Sequence, residues 1–167
     1  PGIERALSLR DIEDTDAMVA ALGTKPGDAS AVVIGGGFIG VEMTENLVHR
    51  GLQVALVEAL DQVMAPLDPE MVAPVHRALR KAGVDLRLGT SVTAIGPDHV
   101  VLADGSRLPA DLVIAAIGVR PDTRLAAAAG LRIGERGGIA VDKLLRTSAP
   151  DVYAVGDAVE KVDGLSG

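Results

Sequence analysis

The chain has 167 residues, 48% of them hydrophobic and 23% charged, with no cysteine, no tryptophan and a net charge of −7. That length predicts about one domain with enough chain for a real core, and the apolar fraction excludes a disordered polymer. The lack of cysteine excludes disulfides, thiolate metal sites and a cysteine nucleophile within these residues; the acidic balance argues against duplex nucleic acid, which demands a basic face.

Pro1 to Arg10 has no basic stretch followed by an apolar block, so no signal peptide is expected, and no apolar run nears the roughly 18 residues of a membrane span. A soluble, cytoplasmic domain without a membrane partner is the expectation. The same segment shows no periodicity and is expected to be extended. Asp11 is a helix cap, with Ile12, Thr15, Val19 and Leu22 recurring on one face behind it. Gly23 to Ser30, containing Lys25-Pro26-Gly27-Asp28, reads as a turn-rich linker. Ala31 to Ile34 is a short β-branched run stopping at Gly35, the pattern of a buried central strand.

Ile39, Met43 and Leu47 follow at helical spacing, and Gly51 closes that helix. Gln53 to Val57 predicts the next strand, with Glu58 at its carboxyl end. Asp68-Pro69-Glu70 is a helix start, and Met71, Val75, Ala78, Leu79 and Ala82 are its expected buried face, ending at Gly83. Val84 to Leu88 predicts a third strand. Ser91–Ile95, His99–Leu102 and Arg107–Pro109 are short strands joined by Gly96-Pro97-Asp98 and Asp104-Gly105, which reads as an antiparallel meander. Leu112 to Ala116 returns as a buried strand, followed by Gly118. Beyond Pro121 come an Ala-rich stretch from Leu125 to Gly130, the run Ile139 to Val141, and an expected strand from Val152 to Val155 before Gly156-Asp157. With one Phe and one Tyr in the chain, the core must be aliphatic. The fold class is therefore α/β: a Rossmann-like parallel sheet of βαβ units with an inserted antiparallel β-meander.

Gly35-Gly36-Gly37-Phe38-Ile39-Gly40 fits G-x-G-x-x-G, and it falls between a predicted strand and a predicted helix, as the mechanism of that motif requires. Gly35 allows the tight turn, Gly37 lets a diphosphate approach the backbone, and Gly40 lets helix and strand pack closely. The helix amides beyond the turn bind the diphosphate, helped by the helix dipole. Glu58 lies 23 residues after Gly35, close to the spacing at which an acid accepts the hydroxyls of an adenosine ribose. A carboxylate there repels a 2′-phosphate, and no Arg or Lys lies between Gly51 and Arg77, so NADH is expected over NADPH.

No acid–base catalyst stands out. Tyr153 has Asp157 rather than Lys four residues on, and His49, His76 and His99 read as surface residues. No catalytic or metal-binding residue is expected; the chain binds a dinucleotide without performing chemistry alone. Two alternatives remain open at this point: a stand-alone nucleotide-binding or sensor module, and a glycine loop that takes the ADP half of FAD instead of NADH.

The glycine loop with Val41 and Glu42, then Glu58, Ala116-Ile117-Gly118 and Tyr153-Ala154-Val155-Gly156-Asp157 occur in the order used by FAD-dependent pyridine nucleotide–disulfide oxidoreductases, which the chain resembles throughout. The run Leu56 to Glu70 is most similar to the NADH oxidase and coenzyme A–disulfide reductase branch. The resemblance implies a middle piece of a flavoprotein: residues 1–29 leading in from an FAD-domain segment, 30–120 an NAD(H)-binding domain, and 121–167 a return into the FAD domain. It further implies that Phe38 shields the flavin until nicotinamide displaces it, that Ile39 is among the cofactor-binding residues, and that Glu42 points towards the flavin. By the same resemblance Gly118 passes close to the cofactor and Asp157 holds the FAD ribitol. A homodimeric parent, with redox centre and dimerisation domain elsewhere, completes that expectation, and the residues present are then inactive on their own.

Overall fold

The strand expected at Ala31–Ile34 forms at the centre of a parallel sheet in the computed structural model, which describes residues 1–23 and 29–161. A first unit, Pro1–Gly118, contains α1 (Ile12–Leu22), β1 (Ser30–Ile34), α2 (Phe38–His49), β2 (Gln53–Val57), α3 (Pro69–Lys81), β3 (Asp85–Arg87), β4 (Val92–Ile95), β5 (His99–Leu102), β6 (Arg107–Pro109) and β7 (Leu112–Ala115). The turn-rich linker at Lys25-Pro26-Gly27-Asp28 lies outside the described residues. The parallel sheet has the order β3-β2-β1-β7, and β4-β5-β6 form the separate antiparallel sheet that the turn signals predict.

Parallel strands buried on both faces need cover on both sides, and two different layers supply it. Ala31, Val33, Leu56 and Ile114 face a core shared with Met18 of α1, Leu47 of α2 and Val72 and Leu79 of α3. Val32, Ala55, Val57 and Val113 face the other way, onto Ile95, Val100, Leu102 and Leu108 of the meander. Val32 stands beside Ala55 on one side and Val113 on the other, so each register position alternates between helical and meander cover.

Local chemistry accounts for most of the ends. The Asp11 carboxylate accepts the Asp14 N–H at 2.9 Å and caps α1. At α3 the Asp68 side chain makes no capping bond; Pro69 in the first helical position and Glu70 in the first turn carry the start. Several sequence expectations shift. Ile3–Arg5 form a 3₁₀ turn, and Leu7 bridges to Ile114, so the lead-in is docked on the sheet. On α1, Met18 is buried while Ile12 and Val19 are exposed. On α3, Val72 and Leu79 are buried with Val75 partly so, whereas Met71, Ala78 and Ala82 face outward.

The second unit, Val119–Gly167, contains α4 (Arg124–Ala128), β8 (Ile139–Ala140) and β9 (Val159–Glu160), the last two paired in parallel. Val152–Val155 does not form the expected strand. Its one bridge joins Tyr153 to Arg146, and a single bridge does not make a ladder. Among the described residues no helix is long and apolar enough to cross a membrane.

Candidate functional site

The turn from β1 to α2 is built from glycines with two different causes. Gly35 adopts φ +102°, a left-handed conformation that disfavours side chains, and donates its N–H to the Val57 carbonyl at 2.8 Å. A Cβ on Gly35 would also lie 2.5 Å from the Ala116 carbonyl oxygen. A Cβ on Gly40 would run into the Gly35 carbonyl, so the helix rests directly on the turn. On Gly36 a Cβ would meet Val63 Cγ1 at 2.8 Å. Packing within the chain therefore demands glycine at all three.

Gly37 is different. It has φ −69° and ψ −176°, extended backbone open to any residue, and a Cβ there would meet nothing within 4 Å. Nothing in the fold requires glycine at the position where α2 begins. Gly37 is also the N-cap of α2 without a side-chain capping bond, and the first turn carries no acid. The opening amides of a helix have no intrahelical acceptors, so those at Gly37, Phe38 and Ile39 are left for a partner of another kind. Glu42 sits in the second turn, exposed, where it caps nothing.

Gly37 borders a cavity of about 590 Å³ at the carboxyl ends of β1, β2 and β7. Its walls include Gly35, Gly37, Glu58, Thr90, Ala116 and Gly118. A cleft of this size at the end of a parallel sheet suits a ligand of coenzyme dimensions. Gly118 takes φ +104° with nothing near its missing Cβ, which lets the chain pass the cleft without filling it. Phe38 and Ile117 are large apolar side chains left exposed at this end of the unit.

The Glu58 carboxylate is partly buried in the cleft wall. Its Oε2 accepts the Gly36 N–H at 2.6 Å and its Oε1 accepts the Leu60 N–H at 2.8 Å. Both bonds fix its orientation, and because an ionised carboxylate offers about four lone-pair sites, each oxygen keeps acceptor capacity for a ligand hydroxyl.

The structure thus brings Gly35, Gly37, Glu58 and Gly118 to the cleft wall, with Phe38, Ile39 and Gly40 in the first turn of the helix that starts there. Asp157 belongs to the second unit, exposed in the turn that follows Gly156. The segment between β2 and α3 contributes more than its sequence foretells. Met64 donates its N–H to the Gly36 carbonyl at 2.7 Å, and fully buried Val63 packs on Gly36. His76 of α3 is no free surface residue: its Nε2 accepts the Val63 N–H at 3.2 Å. No period marks such contacts; the one available signal was an unexplained histidine on an otherwise packed helix. Among the described residues no cluster of His, Cys, Asp or Glu forms a metal site.

Sheet order, glycine turn and cleft define a Rossmann-like α/β domain. The chain belongs to the pyridine nucleotide-disulphide oxidoreductase family, whose description matches residues 1–165. It is 38% identical over 169 residues to an NADH oxidase of Methanocaldococcus jannaschii, covering 99% of this chain and 37% of that protein. It is 30% identical to coenzyme A disulfide reductase of Staphylococcus aureus, covering 90% of this chain and 34% of the relative. Among solved structures, reduced CoADR-RHD of Bacillus anthracis superposes with a TM-score of 0.86 at 46% identity, covering 95% of this chain and 29% of that one. A NAD-dependent persulfide reductase from A. fulgidus gives 0.84 at 38% identity, covering 95% and 30%. The chain thus spans about a third of the length of the curated relatives it matches.

Proposed function

We propose that this chain is the NADH-binding part of a flavoprotein oxidoreductase that passes hydride from NADH to FAD and on to a disulfide, persulfide, peroxide or oxygen. The observation that carries the reading is Gly37, a glycine with ordinary backbone angles and open space where its side chain would stand. The fold does not require that vacancy; a diphosphate resting on the α2 amides does. Bound there, NADH supplies the hydride. The chain's own residues hold the diphosphate on backbone N–H groups, orient the adenosine ribose through Glu58 and leave the reactive ring against Phe38 and Gly118. This is catalysis by positioning, in which a fixed geometry replaces a bimolecular encounter.

Family resemblance supports the remaining assignments. Residues 30–120 form the NAD(H) domain and residues 121–167 belong to the FAD-binding side. Glu42 faces the flavin, Asp157 holds its ribitol, and the parent enzyme is a homodimer. The residues present carry no redox centre, so on their own they bind NADH without turnover. Titration of the chain with NADH and NADPH, followed by reduced-nicotinamide fluorescence, tests the reading. NADH is expected to saturate and to bind at least about tenfold more tightly than NADPH, because a carboxylate repels a 2′-phosphate at close range. No saturation with either, or a yellow protein whose glycine loop already holds flavin, overturns it.

A further inference from the structure

We propose that His76 is a positioning residue for the dinucleotide, acting through its hydrogen bond to Val63 to hold the segment between β2 and α3 against the glycine turn. The inference rests on the NADH-binding reading above and adds a residue to it.

The geometry is a short relay. Val63 N–H donates to His76 Nε2 at 3.2 Å. A backbone N–H can only donate, so Nε2 must be unprotonated and the ring proton, in the neutral form, sits on Nδ1. Val63 is fully buried, and its Cγ1 lies 2.8 Å from where a Cβ on Gly36 would stand. The next residue, Met64, takes φ +49°, which L side chains seldom adopt, and gives its N–H to the Gly36 carbonyl at 2.7 Å. Gly36 in turn gives its own N–H to Glu58. One side chain on α3 therefore closes a loop that also bonds to the glycine turn through Met64 and to the Glu58 carboxylate through Leu60.

The surroundings keep the ring neutral. Partial burial, and to a lesser degree the Arg80 guanidinium one turn along α3, hold the His76 imidazole below its ordinary value. The other charged groups on the elements packed around it are Glu58, Asp61 and Asp68 in the preceding segment, Glu70, Arg77 and Lys81 on α3, and Asp85 and Arg87 on β3. Asp85 and Arg87 pair with each other at 2.8 Å. Protonation places an N–H on Nε2 facing the Val63 N–H, two donors without an acceptor, and the segment must move off Gly36.

The test uses ADP-ribose, which carries the diphosphate and adenosine ribose and survives mild acid, in calorimetric titrations between pH 7.5 and 5.0. Wild-type affinity is expected to fall severalfold, on the order of five- to tenfold, as the acceptor is lost. His76→Gln places an amide oxygen at nearly the same reach and does not titrate. It is expected to bind within about threefold of wild type at pH 7.5 and to lose the acid dependence. His76→Leu leaves the Val63 N–H without a partner and is expected to bind about tenfold more weakly at neutral pH, with thermal melts confirming that it is folded. If His76→Leu does not fold, the wild-type and His76→Gln profiles decide alone. An acid dependence retained in His76→Gln, or wild-type affinity in folded His76→Leu, overturns the role of His76 while leaving the site in place. Failure of the wild type to bind ADP-ribose or NADH at neutral pH overturns the site itself and this inference with it.

Discussion

Gly37→Val separates the needs of the fold from those of the ligand. The backbone at Gly37, φ −69° and ψ −176°, is extended and suits a β-branched residue, and the new Cβ has no atom within 4 Å. Val is a poorer N-cap than Gly, which costs up to about 1 kcal/mol. Removing a glycine from the unfolded chain offsets about 0.4–1 kcal/mol of that. Net stability should therefore stay within about 1 kcal/mol, a shift in Tm of no more than about 5 °C. Binding should behave differently, because the isopropyl group occupies the space over the opening amides of α2. Loss of two amide bonds to a charged diphosphate, at about 1.5–3 kcal/mol each, gives about 3–6 kcal/mol, or roughly 10²–10⁴-fold in Kd. The assay is NADH fluorescence against a protein that has no tryptophan and one tyrosine, so its own emission is negligible. Circular dichroism melts of the same samples report the fold. A folded Gly37→Val chain that binds NADH like wild type would show that the open space at Gly37 holds no phosphate.

Four further outcomes are expected. Glu58→Ala should narrow the preference for NADH over NADPH by about tenfold, as read by paired titrations, since it removes the charge that repels a 2′-phosphate; an unchanged ratio would remove Glu58 from coenzyme choice. Thr44 is fully buried with its hydroxyl donating to the Gly40 carbonyl at 2.8 Å, so Thr44→Val, which keeps the shape, should cost about 1 kcal/mol in urea unfolding. Stability should fall with acid through His76: its native value is depressed below the unfolded 6.5, so the unfolded state takes up more protons once pH drops below about 6.5, and the loss continues until the native ring protonates. His76→Gln should flatten that part of the profile in melts at pH 7.5 and 5.0. In the second unit the Arg124 guanidinium grips the Asp122 carboxylate at 2.6 and 2.8 Å and holds it down to about 2, so an NMR titration should show Asp122 ionised through pH 3; a midpoint near 3.8 would mean the pair does not persist.

Strands were legible where both faces are buried. Ala31–Ile34 and Gln53–Val57 read as continuous apolar runs, and those runs become β1 and β2. Continuity hides which residue faces which layer, because a run without alternation does not show that Val32 meets the meander while Val33 meets the helices. The face of α3 was misread for a related reason. Met71, Val75 and Ala78 fit the helical period, and so does the stripe of Val72, His76 and Leu79 one step on. An imidazole does not count as apolar in a search for stripes, so the expected face took in Met71 and Ala78 and left out Val72; the structure buries Val72 together with the expected Leu79 and exposes Met71. Val152–Val155 carries β-branched residues but meets no neighbouring strand among the described residues, and propensity without pairing does not make a strand.

The glycine motif was readable because its spacing is fixed by the strand-to-helix geometry that needs it. The clasp that faces it was not, and the reason is physical. The segment between β2 and α3 is held by backbone donors to side-chain and carbonyl acceptors at irregular intervals: Leu60 to Glu58, Val63 to His76, Met64 to Gly36, and Leu67 to Met64. Such bonds follow neither the 3.6 nor the 2.0 period, so no pattern along the chain announces them. Glu58 was therefore read from spacing as a ribose acceptor alone, whereas its carboxylate first ties the turn at Gly36 to the start of this segment. The ribose role proposed for it is compatible with that tie because the carboxylate is bonded from two backbone N–H groups that leave acceptor capacity on each oxygen. Its orientation is thereby set before any ligand arrives, so less side-chain freedom remains to be lost on binding. Replacing Glu58 by Asp keeps the charge but shortens the reach to Gly36 and Leu60. If pre-orientation matters, Glu58→Asp should weaken NADH binding about tenfold while largely keeping the discrimination against NADPH, a separation that titrations with both coenzymes would read directly. Equal affinity for NADH in Glu58→Asp and wild type would reduce the carboxylate to its charge.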